Sequence, residues 1–235
     1  MKALRFSLIF AFVFSWLGGC TAVQQPVPMD DALWSEKQEV IGIALVDVPK
    51  PAVVLAGQQG LLDYAVNSGL AAALRSKVET WEVSSFSEVP KQVAEEISAR
   101  GYKIKLLGAP IALAELQETK SKLGYAKRDF TPLKQEHQID KLVVIALVNA
   151  GTFRTYYGMI PTSKPVAQIN TLTQVIDLDD NRLLYYQPNT QNRSAEGDWD
   201  EKPEYPNLTN AFYQALDATE QDVIAPFRAP LLSAQ

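Results

Sequence analysis

The 235 residues amount to 26.0 kDa with 47% hydrophobic, 9% aromatic and 21% charged side chains, proportions that exclude a disordered, collagenous or polytopic membrane protein. A total of 22 Lys and Arg against 27 Asp and Glu leaves a formal charge of −5, and phosphate binding needs clustered cations, so nucleic acid is not an expected partner. One Cys and one His exclude a disulfide framework, a Cys/His zinc site and a multi-histidine catalytic centre.

Lys2 and Arg5 precede an uncharged run from Phe6 to Leu17. As a helix that run spans about 18 Å against roughly 30 Å of bilayer hydrocarbon, which suits a signal-peptide h-region and not a membrane span. It ends in Leu17-Gly18-Gly19-Cys20. This tetrapeptide resembles the lipobox of bacterial lipoproteins, with an aliphatic residue three places before the Cys and small residues between. The resemblance implies removal of residues 1–19 as a signal peptide and acylation of Cys20, palmitate included. Multiple acyl chains, at about 0.8 kcal/mol per buried CH₂, hold a protein on a membrane durably. Thr21 stands where lipoproteins kept in the inner membrane of enteric bacteria often have Asp, so the expected location is the periplasmic face of the outer membrane. Residues 21–37 carry Pro26 and Pro28 without apolar periodicity and read as a flexible tether reaching roughly 55 Å beyond the lipidated Cys.

An α/β domain is expected over residues 38–228, with 229–235 as a tail. Gln38 to Val48 is β-rich, and AVVLAG after Pro51 offers a second short strand or an extended continuation. Leu62, Val66, Leu70, Ala73, Leu74, Val78 and Trp81 form an apolar stripe that predicts one helix from Leu61 to about Glu82. Val89, Val93 and Ile97, with Pro90 in the first turn and Gly101 beyond the end, predict a second. A short strand at Tyr102–Leu107 and brief helices at Leu113–Lys122 and Thr131–Gln138 follow. Lys141–Val148 is a continuous apolar run, expected as a central strand, and it continues through Gly151 to Tyr157. A return strand at Val166–Leu178, a polar turn at Asp179-Asp180-Asn181 and a strand at Arg182–Gln187 come next, then a loop over 188–206. The last helix starts near Leu208 with Asn207 as cap, presents Leu208, Ala211, Phe212, Ala215, Leu216, Thr219 and Val223 on one face, and ends at Pro226.

The expected fold is a single α/β domain with a mixed sheet: early parallel βα crossovers, a late antiparallel meander and packed helices. In that order, the phrases LLDYAVNSGLAAAL, ARGY, QIDKLVVIAL and VIDLDDNRLLYY are similar to small periplasmic lipoproteins. These share the fold of the TolB N-terminal domain and include CsgG-type and LpoB-type lipoproteins and auxiliary lipoproteins of envelope transport systems. The resemblance implies an accessory role and no enzyme.

Catalytic constellations fail on counting. His137 is the lone imidazole, in the polar stretch KQEHQ, and no G-x-S-x-G is present. Asp177-x-Asp179-x-Asn181 matches the start of a calcium loop, but Arg182 stands where Gly is required and Pro188 where Glu is. Gly57-Gln58-Gln59-Gly60 precedes a helix without the G-K-[ST] of a phosphate loop. Asp198, Asp200, Glu201 and Glu204 crowd one loop rather than face each other across a cleft. No metal or cofactor is expected. Tyr156-Tyr157-Gly158-Met159-Ile160-Pro161 is unusually apolar for a connection between strands. It either covers the end of the sheet or forms a partner-binding tip of Tyr156, Tyr157, Met159 and Ile160, since aromatic and Met side chains concentrate at interface cores. The functions in view are a lipid-anchored, non-catalytic accessory to an envelope transport, secretion or wall-building machine, acting through a protein partner; a binding module for an apolar or envelope-derived ligand; and, third, a hydrolase with an unrecognised carboxylate pair.

Overall fold

The computed structural model describes residues 23–120 and 122–228; the expected signal peptide, with Leu17, Gly18 and Gly19, the expected acylation site Cys20 and the expected 229–235 tail lie outside the described residues. The described chain forms a mixed seven-stranded sheet ordered β3-β1-β4-β6-β7, with β2 and β5 also on β4. In chain order the elements are β1 (Val40–Leu45), β2 (Ala52–Gln58), α1 (Leu61–Leu70), α2 (Ala72–Val78), α3 (Val89–Ala99), β3 (Lys103–Leu106), α4 (Pro132–His137), β4 (Lys141–Tyr157), β5 (Ile160–Pro161), β6 (Val166–Asp177), β7 (Arg182–Ser194) and α5 (Pro206–Ile224). β1 runs parallel to both β3 and β4, whereas β4, β6 and β7 form the antiparallel meander. The α/β architecture and the mixed sheet match the expectation.

β4 organises the sheet. Its apolar first half pairs with β1, and its second half, Gly151 to Tyr157, pairs in parallel with β2. The β2–β4 ladder starts at Gly151, with φ +139°, and its penultimate pair holds Gly57, with φ +101°. A Cβ on Gly151 would lie 1.9 Å from the Ala52 carbonyl oxygen, and one on Gly57 2.1 Å from that of Tyr156, so any larger residue would force the strands apart.

Helices cover one face. Leu74 and Val78 of α2, Val93 and Ile97 of α3, and Leu208 and Phe212 of α5 pack with Ile43, Val143, Ile145 and Ile169 of the strands. Trp81 stacks on Phe212 at 4.4 Å between ring centroids. The opposite face is closed mainly by α4 and the long connection before it, where Ala126, Phe130, Leu133 and Ile139 meet Leu142, Val144, Ile176 and Leu183.

Several expectations need correction. The tether is not free beyond Val23. Val27 exchanges backbone hydrogen bonds with Tyr186 at 2.9 and 3.0 Å, and Asp30 N–H donates to the Leu184 carbonyl at 2.8 Å. Leu33 is fully buried, and the buried Lys141 ammonium donates to the Ala32 carbonyl at 2.7 Å while pairing with Glu39. A segment without apolar period can still dock by lending backbone groups to a sheet edge.

The helix expected over Leu61–Glu82 is two helices broken at Ala71. The helical part of Leu113–Lys122, among the described residues, is a 3₁₀ turn at Leu113–Glu115, and Glu118 instead bridges to Arg128. β7 continues to Ser194 through Pro188, tolerated because an edge strand leaves one side of each residue without a ladder partner. α5 begins at Pro206, whose fixed φ suits the first helical position, and Asn207 instead donates to the Asp198 carbonyl at 3.1 Å.

Candidate docking site

α1 is inside out. The one buried residue of this helix is Asn67, at 0% exposure, while Leu61, at 94%, and Leu62, Tyr64, Val66 and Leu70 face solvent. Asn67 explains the orientation. Its amide Nδ2 donates to Gln59 Oε1 at 2.8 Å and to the Gly158 carbonyl at 3.0 Å, which locks the helix against the β4–β5 turn by polar contacts and leaves the leucines outside. The start of the helix is closed by Asp63, whose carboxylate accepts from the Gly60 N–H at 2.9 Å. That carboxylate occupies the position an anion would take, so the Gly57–Gly60 stretch is helix-start geometry and not a phosphate loop.

The hairpin tip is equally fixed. Gly158 N–H donates to the Gln58 carbonyl at 2.8 Å, and Tyr157 pairs with Ile160. Below the turn, Thr162 N–H donates to the Thr155 carbonyl at 2.8 Å, and Arg154 Nε donates to the Ser163 carbonyl at 2.9 Å. The pleat sends neighbours to opposite faces. Tyr157 is therefore 66% exposed beside exposed Met159 and Ile160, whereas Tyr156 is only 7% exposed and belongs to the packed side of the sheet. Of the four tip residues proposed from sequence, three reach solvent and Tyr156 does not.

The tip and α1 adjoin through the Asn67–Gly158 hydrogen bond. Leu61, Leu62, Tyr64, Val66 and Leu70 on the helix and Tyr157, Met159 and Ile160 on the turn are all exposed, a concentration of large apolar side chains on two adjoining elements rather than the single scattered ones of an ordinary surface. Residues 57–70 and 155–163 contain a single charge, Asp63. A surface of this kind fits an uncharged apolar face of another protein, since an anionic lipid surface is held by Lys and Arg.

Sequence reasoning missed the α1 half of this surface. The signal was present in the spacing: Leu62, Val66, Leu70, Leu74 and Val78 recur every four residues. Each such step overshoots a helical turn by about 40°. Over the whole stripe the drift is about 160°, so no straight helix can bury both ends.

The other candidates resolve into structural roles. Asn181 holds the connection before α4: its Oδ1 accepts from Phe130 N–H at 3.0 Å and its Nδ2 donates to the Ala126 and Arg128 carbonyls. Arg182 faces Asp30, Asp177 and Asp180. No cluster of three or more metal-ligating side chains occurs among the described residues. His137 Nε2 lies 3.6 Å from a carboxylate oxygen of its neighbour Glu136, and the His137 carbonyl accepts from Lys105. Glu204 in the acidic loop pairs with Lys77 at 2.8 Å, which holds its carboxyl below the usual range.

No family model and no curated protein matches the chain. Among solved structures, the PelC dodecamer from Paraburkholderia phytofirmans is similar at 8% identity over 88% of this chain and 96% of that one, with a TM-score of 0.28. Lipoprotein GNA1162 from Neisseria meningitidis is similar at 11% identity over 78% and 99%, TM-score 0.31. A minor lipoprotein from Acinetobacter baumannii is similar at 9% identity over 80% and 93%, TM-score 0.28. Similarities at these scores carry no argument about function, which has to stand on the chain's own residues.

Proposed function

We propose that this chain is a non-catalytic, lipid-anchored accessory protein on the periplasmic face of a bacterial outer membrane, which docks onto a protein partner of an envelope machine through α1 and the β4–β5 tip. The observation that carries the reading is the inverted helix: Asn67 is turned inward on Gly158 of the tip, Leu61, Leu62 and Leu70 are turned out to solvent, and Tyr157 and Ile160 of the tip are exposed as well. Exposing that much apolar surface opposes solubility unless something covers it. The lipobox at Leu17–Cys20 supplies the address, and grouping with the TolB-type, CsgG-type and LpoB-type lipoproteins rests on the order of elements and the phrases quoted above.

The test is the double variant Met159→Ser, Ile160→Ser, assayed by co-purification from crosslinked envelopes and by thermal unfolding. Truncating an interface hot spot typically costs about 2 kcal/mol or more, roughly a 30-fold loss of affinity. Partner recovery should therefore collapse at normal abundance, with stability within about 0.5 kcal/mol of the parent because both residues are exposed. A variant with a sharply lowered Tm whose folded fraction still recovers the partner would remove this surface from consideration.

A further inference from the structure

Away from the docking surface, on the sheet face opposite α2, α3 and α5, lies a half-enclosed cavity of about 240 Å³. Its walls are Leu172 of β6, Leu183 and Tyr186 of β7, and Leu113, Tyr125 and Phe130 of the connection before α4. Gln24 of the N-terminal segment lines it too. Gln24 is held there: its Oε1 accepts from the Gly124 N–H at 2.7 Å, and three residues later Val27 bridges to Tyr186, itself a wall residue. The rim carries Lys127 and Arg128, of which Arg128 is neutralised by Glu118 at 3.1 Å and donates to the Leu116 carbonyl.

We infer that this cavity takes an alkyl chain, and that the chain it takes is an acyl group on Cys20. The inference rests on the anchor reading. Cys20 stands four residues before Gln24, a span of at most about 14 Å, so its acyl chains are confined close to the cavity mouth and compete at high effective concentration against any free lipid. A methylene fills about the space of a water, roughly 30 Å³, so the cavity accommodates about eight of them, half of a palmitoyl chain. Apart from Gln24 and Gln174 the walls are apolar and aromatic, and most of the exposed lining is apolar, which suits a neutral acyl chain. One chain withdrawn into the domain, with the others left in the bilayer, holds the face bearing β7 and the connection before α4 against the membrane.

The test is metabolic labelling with a palmitate analogue bearing a photoreactive diazirine near the chain end, followed by irradiation of the full-length membrane-bound protein and peptide mass spectrometry. The expected result is a crosslink joining the labelled Cys20 peptide to peptides that contain Leu172, Tyr186 or Phe130. It should fall at least tenfold in Leu172→Trp, which fills the cavity from the sheet, and in Leu113→Trp, which fills it from the opposite wall and serves if the first variant does not accumulate. Crosslinks from a labelled Cys20 that reach only phospholipid overturn the inference while leaving the anchor intact. Crosslinks to the cavity from label not attached to Cys20 overturn it in favour of a free fatty acid, whose carboxylate Lys127 can meet. No label on Cys20 in a protein that reaches the envelope defeats the anchor reading and the inference together.

Discussion

Leu70→Ala and Leu74→Ala, one helical turn apart in a single apolar stripe, should behave as different mutations. Leu74 is 5% exposed and packs in the main core, whereas Leu70, the last residue of α1, is 79% exposed. Removing a buried leucine side chain forfeits its transfer free energy and leaves a cavity, together about 2–5 kcal/mol. At about 2–4 °C per kcal/mol for a domain of this size, Leu74→Ala should lower Tm by about 5–15 °C. Leu70→Ala should stay within roughly 0.5 kcal/mol, because little burial is lost and Ala is the better helix former. Its effect should appear in partner recovery instead. The assay is thermal unfolding of the soluble chain from residue 21, followed by far-UV circular dichroism, with co-purification from envelopes for the same variants. Equal drops in Tm would mean that α1 buries its leucines, and the docking surface would be core.

Asn67→Ala removes two hydrogen bonds, to Gln59 and to Gly158, at about 1 kcal/mol each; Tm should fall by about 4–8 °C, with faster amide exchange at the tip, and unchanged exchange there would refute the clamp. Glu220 has its carboxyl pushed above the ordinary 4.5 by burial, opposed by the Ser85 hydroxyl that donates to it at 2.6 Å and assisted by Asp217. The folded state then holds the proton more tightly than the unfolded chain, so stability is lost as pH rises from 4.5 through the folded value and stays reduced above it. Glu220→Gln should accordingly melt higher than the parent at neutral pH, with the gap closing below about pH 4.5, and a gap independent of pH would refute the assignment. Cys20→Ala should leave an uncleaved precursor or release the domain from the outer membrane, read by fractionation with acyl labelling, and unchanged sedimentation and labelling would refute the lipobox.

Much of the architecture is local and therefore legible in the chain. The β-branched, continuously apolar LVVIALV after Lys141 suits a central strand buried on both faces up to Leu147, and Val89, Val93 and Ile97 with Pro90 and Gly101 delimit α3 without reference to anything else. What the chain leaves open is which way an amphipathic element points. The period-2 pleat says that Tyr156 and Tyr157 take opposite faces, but only the packing of the sheet decides that Tyr157 is the exposed one. The stripe from Leu62 to Val78 reads as buried because leucines usually are, yet its lower half is turned out by Asn67 reaching Gly158, 91 residues away. The docking of Val27 on Tyr186 joins residues further apart still, and a backbone hydrogen bond carries no mark in the side chains that flank it. Hydrophobic periodicity records what each segment can bury; the partner that buries it, or fails to, is set by contacts between segments far apart in the chain.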